Sequence, residues 1–293
     1  MQATQAPAAQ MAPALAVEEA LTDLPQPARN LKQCKADLAR TGLCIIEDAL
    51  SPERLKRARD DLYQAAQDDS VIAAQTAGQQ DNDRILTADY DSSNLRVWAL
   101  LNRGQSFIDM AQDPAAIDLV EHTLGPGFLL SNMTANITLP GHAGMKMHAD
   151  QMSFPLPWPQ AALGINIIWL LDDFTSENGA TLVVPGSNRL NRWPHYGEDE
   201  KHLVPLVGKA GSMVAMDGRV WHQTGANTTL DQSRAGVFAW YSAPAFRTQE
   251  NWFLSLNPSI LQRNPSQALL KMLGYKVKGT AFGHVNGYEP PIR

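Results

Sequence analysis

The chain has 293 residues, 44% of them hydrophobic and 18% charged, with a net charge of -6. That composition fits a globular protein with a sizeable core. With no basic block or stripe to neutralise phosphates, it argues against a nucleic-acid binder and mildly against an anionic membrane surface.

No apolar run is long enough to span a membrane. The first 28 residues, rich in Ala, Pro and Gln, are expected as a flexible tail ahead of one domain covering residues 29–293. No basic residue precedes Arg29, so a secretory signal is not expected, and Cys34 and Cys44 are expected as reduced thiols of a cytoplasmic protein. The spacing of Leu31, Cys34 and Leu38 before Gly42 predicts a helix, and "LCIIEDAL" a strand. A second helix opens at Ser51 with Pro52 in its first turn and runs to about Asp69. Residues 70–90 read as a polar loop that covers something, followed by helices near 96–103 and 113–124.

After Gly127 the pattern changes to short β-prone runs broken by Gly, Pro, Asn and Asp: "FLLSNMTANITLP", "GMKMHADQMSF", "LGINIIWLLDD", "ATLVVPGS", "GSMVAMDG", "VWHQTGAN" and "RAGVFAWYSAP". Many short strands with no helices between them predict a sandwich or barrel with the earlier helices packed outside. A final amphipathic helix is predicted over Ser266–Met272.

Within "MKMHADQMSF", a strand would aim His148 and Asp150 at one point, because residues i and i+2 share a face. They are either two solvated groups or two ligands of a metal that needs a third. Among the other histidines, His122 falls on a helix, His195 and His202 in a polar loop, and His142 in a turn. His222 lies instead where a "DG" turn returns the chain in an apolar context. It is either a buried histidine satisfied by one hydrogen bond or the third ligand. Two imidazoles and one carboxylate leave coordination positions open, as non-haem Fe(II) oxygenases require; zinc accepts the same set. Arg234, twelve residues on, opens a strand. It either faces solvent or points inward, where a guanidinium needs a carboxylate.

This series, with "TGLCIIEDALSPERLKRARDDL", "ENGATLVVPGSNRL" and "QENWFLSLNPSILQ" followed by "KMLGY", resembles the phytanoyl-CoA dioxygenase-like (PhyH) group of Fe(II)/2-oxoglutarate dioxygenases. The likeness runs from about Leu31 to Tyr275. It implies a double-stranded β-helix (a cupin-like jelly roll), with iron held by His148, Asp150 and His222. It further implies that Arg234 holds the far carboxylate of 2-oxoglutarate, with Thr181 and Thr224 as further contacts. Asn188 and Met145 depart from the group's usual His and Gln. A carboxylate ligand implies hydroxylation, desaturation or a related C–H abstraction rather than halogenation.

The stiff "FPLPWP" loop makes Phe154 and Trp158, with Trp252, the expected lining for a largely apolar small molecule. Residues 70–90 and 246–256 are expected to order over the metal. A coenzyme A thioester finds no cluster of Lys and Arg in the sequence to receive its phosphates. The expected partners are the substrate and O2, with a homodimer as the assembly. A zinc hydrolase and a non-catalytic small-molecule-binding β-barrel are the alternatives.

Overall fold

The computed structural model describes residues 17–75, 93–277 and 282–292, with the side chains of 71–75 left aside. Two helices open it: α1 (Val17–Ala20) and α2 (Leu31–Thr41). Asn30 caps α2 through the Lys32 N–H, and Gly42 ends it at φ 76°, a left-handed turn that costs glycine nothing. Strand β1 (Leu43–Ile46) and helix α3 (Pro52–Gln75) follow. Next come β2 (Asn94–Val97), α4 (Gln105–Ala111) and α5 (Pro114–Leu124). The remaining strands are β3 (Leu129–Thr138), β4 (Gly164–Leu170), β5 (Thr181–Val184), β6 (Val204–Pro205), β7 (Met213–Asp217), β8 (Trp221–Thr224) and β9 (Arg234–Ser242). Three short helices, α6 (Trp252–Ser255), α7 (Pro258–Gln262) and α8 (Gln267–Met272), complete the described chain.

Six strands form one antiparallel sheet in the order β1-β7-β4-β9-β3-β2, and β6-β5-β8 form a second. Ile168 and Leu170 of the large sheet pack with Val183 of the small one, so one core lies between the two sheets. The alternate residues, Ile165, Ile167 and Trp169, turn outward into a larger core with the helices. The period-2 rule thus gives β4 two buried faces. This is the predicted double-stranded β-helix. On β3, Met133, Ala135 and Ile137 face the helices. Asn132, Thr134, Asn136 and Thr138 therefore line the barrel interior with polar groups.

Several expectations change. The helix predicted near 96–103 is strand β2 followed by a single 3-10 turn at Leu100–Asn102. Arg96 pairs across to Asn136, and its guanidinium reaches that amide oxygen at 2.6 Å. Residues 17–28, assigned to the tail, pack on the barrel: Ala20 is fully buried and Ala28 bridges Ile46. The 70–90 loop begins as the end of α3, and from residue 76 onward it lies outside the described residues.

Candidate active site

The "MKMHADQMSF" segment is a strand only at one point. His148 and His222 form an isolated antiparallel bridge, exchanging backbone hydrogen bonds of 2.8 Å in both directions. Asp150 then opens a 3-10 turn, Asp150–Ser153. The i, i+2 geometry survives without a ladder, because His148 is bridged and Ala149 is extended up to the turn that Asp150 opens. His222, on β8, sits opposite Val183 of β5, and two residues further Thr224 sits opposite Thr181.

One nitrogen of each imidazole is occupied. His148 Nδ1 lies 3.0 Å from the Lys146 carbonyl, and His222 Nδ1 lies 3.0 Å from that of Val220. Those carbonyls can only accept, so each ring carries its proton on Nδ1 and turns a bare Nε2 inward. The two Nε2 atoms stand 3.8 Å and 3.7 Å from the same Asp150 oxygen, Oδ1. Ligand atoms from all three residues lie within 4.8 Å of one another, which fits one metal ion. Burial, then the neighbouring His148 ring, pushes the His222 pKa down to about 4, so it offers a lone pair at neutral pH.

The other Asp150 oxygen, Oδ2, accepts a 3.1 Å hydrogen bond from the Asn166 amide on β4. That bond leaves Oδ1 alone facing the imidazoles and orients the carboxylate for one-oxygen ligation. Sequence reading missed Asn166, although a lone amide in the apolar "GINIIWL" was the available signal. Loss of an outer hydrogen bond of this kind costs roughly 10–100-fold in metal affinity. Asn166→Leu is expected to weaken Fe(II) binding by that order, measured by metal titration, while Asn166→Gln restores part of it.

Arg234 is fully buried at the start of β9, opposite Thr138. Its Nη2 donates to the Gly179 carbonyl, and its guanidinium carbon lies 4.5 Å above the Phe174 ring. The Nε and Nη1 donors have no hydrogen-bond partner. Burial lowers its pKa to about 9, with the nearby Asp172 opposing the shift, so it stays charged at neutral pH. A buried cation with two unpartnered donors is unfavourable, and a carboxylate is the group whose two oxygens match them. The residues present therefore fit both a divalent metal and a dicarboxylate cosubstrate.

The expected substrate lining is partly rearranged. Met147 and Ala149 point away from the ligand face, as does Trp221 beside His222, and Trp158 packs among them. Its indole N–H donates to the Phe154 carbonyl at 3.1 Å. Trp158 thus supports the ligand segment from behind instead of lining the substrate side. Trp158→Ala is expected to destabilise the fold by about 3–5 kcal/mol, read by denaturant unfolding, as for other large buried aromatics. Trp252 is held in place, only 1% exposed and bonded to the Leu130 carbonyl at 2.6 Å, and it borders a separate cavity that none of the metal-cluster residues lines. Phe154 is partly buried against the cluster that holds Trp158, its ring centroid 4.2 Å from that of Phe246. Trp240, missed in the sequence, lies inward between Asn132 and Asn166, and its ring covers Gly164 and Gly218 so closely that a Cβ at either would collide. Asn188, where the resemblance leads one to look for His, packs under Gly42.

The family model described as phytanoyl-CoA dioxygenase (PhyH) matches residues 38–236. A dioxygenase of Aspergillus fumigatus, af480, is 37% identical over 257 residues, covering 85% of this chain and 80% of that protein. The multifunctional dioxygenase ausE of Aspergillus calidoustus is 27% identical over 70% of each chain. Among solved structures, EctD from S. alaskensis with 2-oxoglutarate and 5-hydroxyectoine superposes with a TM-score of 0.60 at 18% identity, covering 80% of this chain and 87% of its own. The epimerase SnoN in complex with Fe3+, alpha ketoglutarate and nogalamycin RO gives 0.54 at 18% identity, over 78% and 90%. With the family model spanning most of the barrel and a relative matched over most of both chains, this protein belongs to the phytanoyl-CoA dioxygenase (PhyH) family.

Proposed function

We propose that the chain oxidises a C–H bond of a largely apolar small molecule, consuming O2 and 2-oxoglutarate and releasing succinate and CO2. His148, Asp150 and His222 would hold Fe(II), and Arg234 would take the far carboxylate of 2-oxoglutarate, with Thr181 and Thr224 beside it. The observation that carries this reading is Arg234: a fully buried guanidinium with Nε and Nη1 unpartnered, sharing the barrel with a three-ligand metal cluster. A zinc hydrolase has no use for that guanidinium, and a passive binding barrel has no use for the metal cluster.

Bound iron supplies the activation of O2 that no side chain can provide. The protein's residues do the rest. The Lys146 and Val220 carbonyls fix the imidazole tautomers, and Asn166 turns one Asp150 oxygen toward the metal position. The charges of Fe(II), Asp150, 2-oxoglutarate and Arg234 cancel, which lowers the cost of burying them together. Phe154 and Phe246, whose rings meet, would supply apolar surface that keeps water from the reacting C–H bond.

A role in secondary metabolism is supported by one structural neighbour, an epimerase from nogalamycin biosynthesis. A cytoplasmic setting is supported by the two buried cysteines, which are unbonded. No described helix is long and apolar enough to cross a membrane. Oxygen uptake that requires both Fe(II) and 2-oxoglutarate tests the proposal. Uptake unchanged when 2-oxoglutarate is omitted would refute it.

A further inference from the structure

A cavity of about 880 Å³ lies between the start of β3, the segment after β9, and residues 271–277 and 282–283. Its size is within the range of small-molecule sites, about 300–1,000 Å³. None of His148, Asp150, His222 or Arg234 lines it, yet two of its residues contact the barrel. Phe246 carries the ring that meets Phe154, and Gln249 accepts a 3.1 Å hydrogen bond from Asn132 on the barrel's inner face.

The lining has two characters. Phe246, Phe253, Val277 and Phe282 give it an apolar wall, with Phe253 and Phe282 50% and 58% exposed. Arg247, Lys271 and Lys276 give it three cations, and among the described residues no Asp or Glu lines it. That asymmetry runs against the whole chain, which has 30 acidic and 24 basic residues. Lys276 is paired with Glu289 at 2.8 Å, whereas Arg247 and Lys271 make no ion pair among the described residues. Exposed phenyl rings or exposed cations alone are ordinary surface. Together, in a concave site with low-dielectric walls, they focus a positive potential over an apolar floor.

We propose that this cavity binds an amphipathic carboxylate, its anionic end against Arg247 and Lys271 and its hydrocarbon body across Phe253 and Phe282. It would anchor the tail of the substrate whose reacting carbon enters the barrel past Phe246. That role rests on the oxygenase reading; the existence of the site does not.

Isothermal titration of the full chain with decanoate, decanol and decyltrimethylammonium tests the site. Decanoate is expected to bind at least tenfold more tightly than decanol, and the cation not at all. The double variant Arg247→Gln, Lys271→Gln is expected to lose at least tenfold for decanoate with little change for decanol. Phe282→Asp weakens both, and Arg234→Ala leaves decanoate binding unchanged. Equal affinity for decanoate and decanol, parental affinity in the double variant, or no decanoate binding up to millimolar concentration would each overturn the site. Loss of decanoate binding in Arg234→Ala would also do so, by moving the anion to the dicarboxylate pocket. Intact decanoate binding in a parent chain that forms no succinate from 2-oxoglutarate overturns the oxygenase reading and the anchoring role together, and leaves the site standing.

Discussion

His222→Ala is expected to abolish Fe(II)-dependent turnover and to weaken Fe(II) binding by more than the roughly 10–100-fold that loss of an outer hydrogen bond costs. Its backbone remains tied to His148 by two hydrogen bonds, which an alanine keeps. The variant should therefore retain its circular dichroism spectrum and its unfolding cooperativity. The same residue sets a pH window. An ordinary histidine gains a proton near 6.5, but burial holds His222 neutral down to about 4. The group binds a proton in the unfolded chain before it does in the folded one, so its contribution to stability is present above 6.5 and lost as pH falls toward 4. Protons should not compete with metal at this ligand until about pH 4. Metal titrations on His222→Ala and the parent between pH 7 and 5 separate this residue's share. Parental iron-dependent activity in the variant would remove it from the site.

Arg234→Ala is expected to raise the 2-oxoglutarate requirement sharply with a smaller effect on the maximal rate. Removing one partner of a buried charge pair costs about 3–5 kcal/mol, which corresponds to roughly two to four orders of magnitude in cosubstrate affinity. Lysine should recover only part of this, because an ammonium cannot present the planar fork. In the absence of cosubstrate, the arginine is a buried cation with two idle donors, so the alanine variant should be no less stable than the parent without ligand. The parent should gain thermal stability on adding 2-oxoglutarate, and the variant should gain almost none. An unchanged requirement for 2-oxoglutarate would show that the guanidinium binds something else.

The metal cluster was legible because part of its geometry is local. His148 and Asp150 share one local segment, whereas His222 meets it only through a long-range bridge and was picked out as a histidine in an apolar context. The barrel was legible from the rhythm of short strands. Strand β2 was not, because Asn94–Val97 is a strand only by virtue of pairing with β3, a contact between residues some forty positions apart. The role of Trp158 was misjudged for the opposite reason: its nearness in sequence to the ligands says nothing about which face of their segment it covers. The polar inner row of β3 was written plainly in the alternation of Asn132, Thr134 and Asn136 with Met133 and Ala135, yet a sequence read only for apolar periodicity passes over it. The cations at residues 247, 271 and 276 look scattered until the chain end folds them onto one cavity.

The most direct test of the proposed chemistry is incubation of the protein with Fe(II), 2-oxoglutarate and 18O2, followed by mass spectrometry of the succinate formed. Succinate carrying one 18O atom, released with CO2 and lost in both His222→Ala and Arg234→Ala, is the predicted result. Succinate without label, or no succinate from protein shown to bind Fe(II) and 2-oxoglutarate, would contradict it.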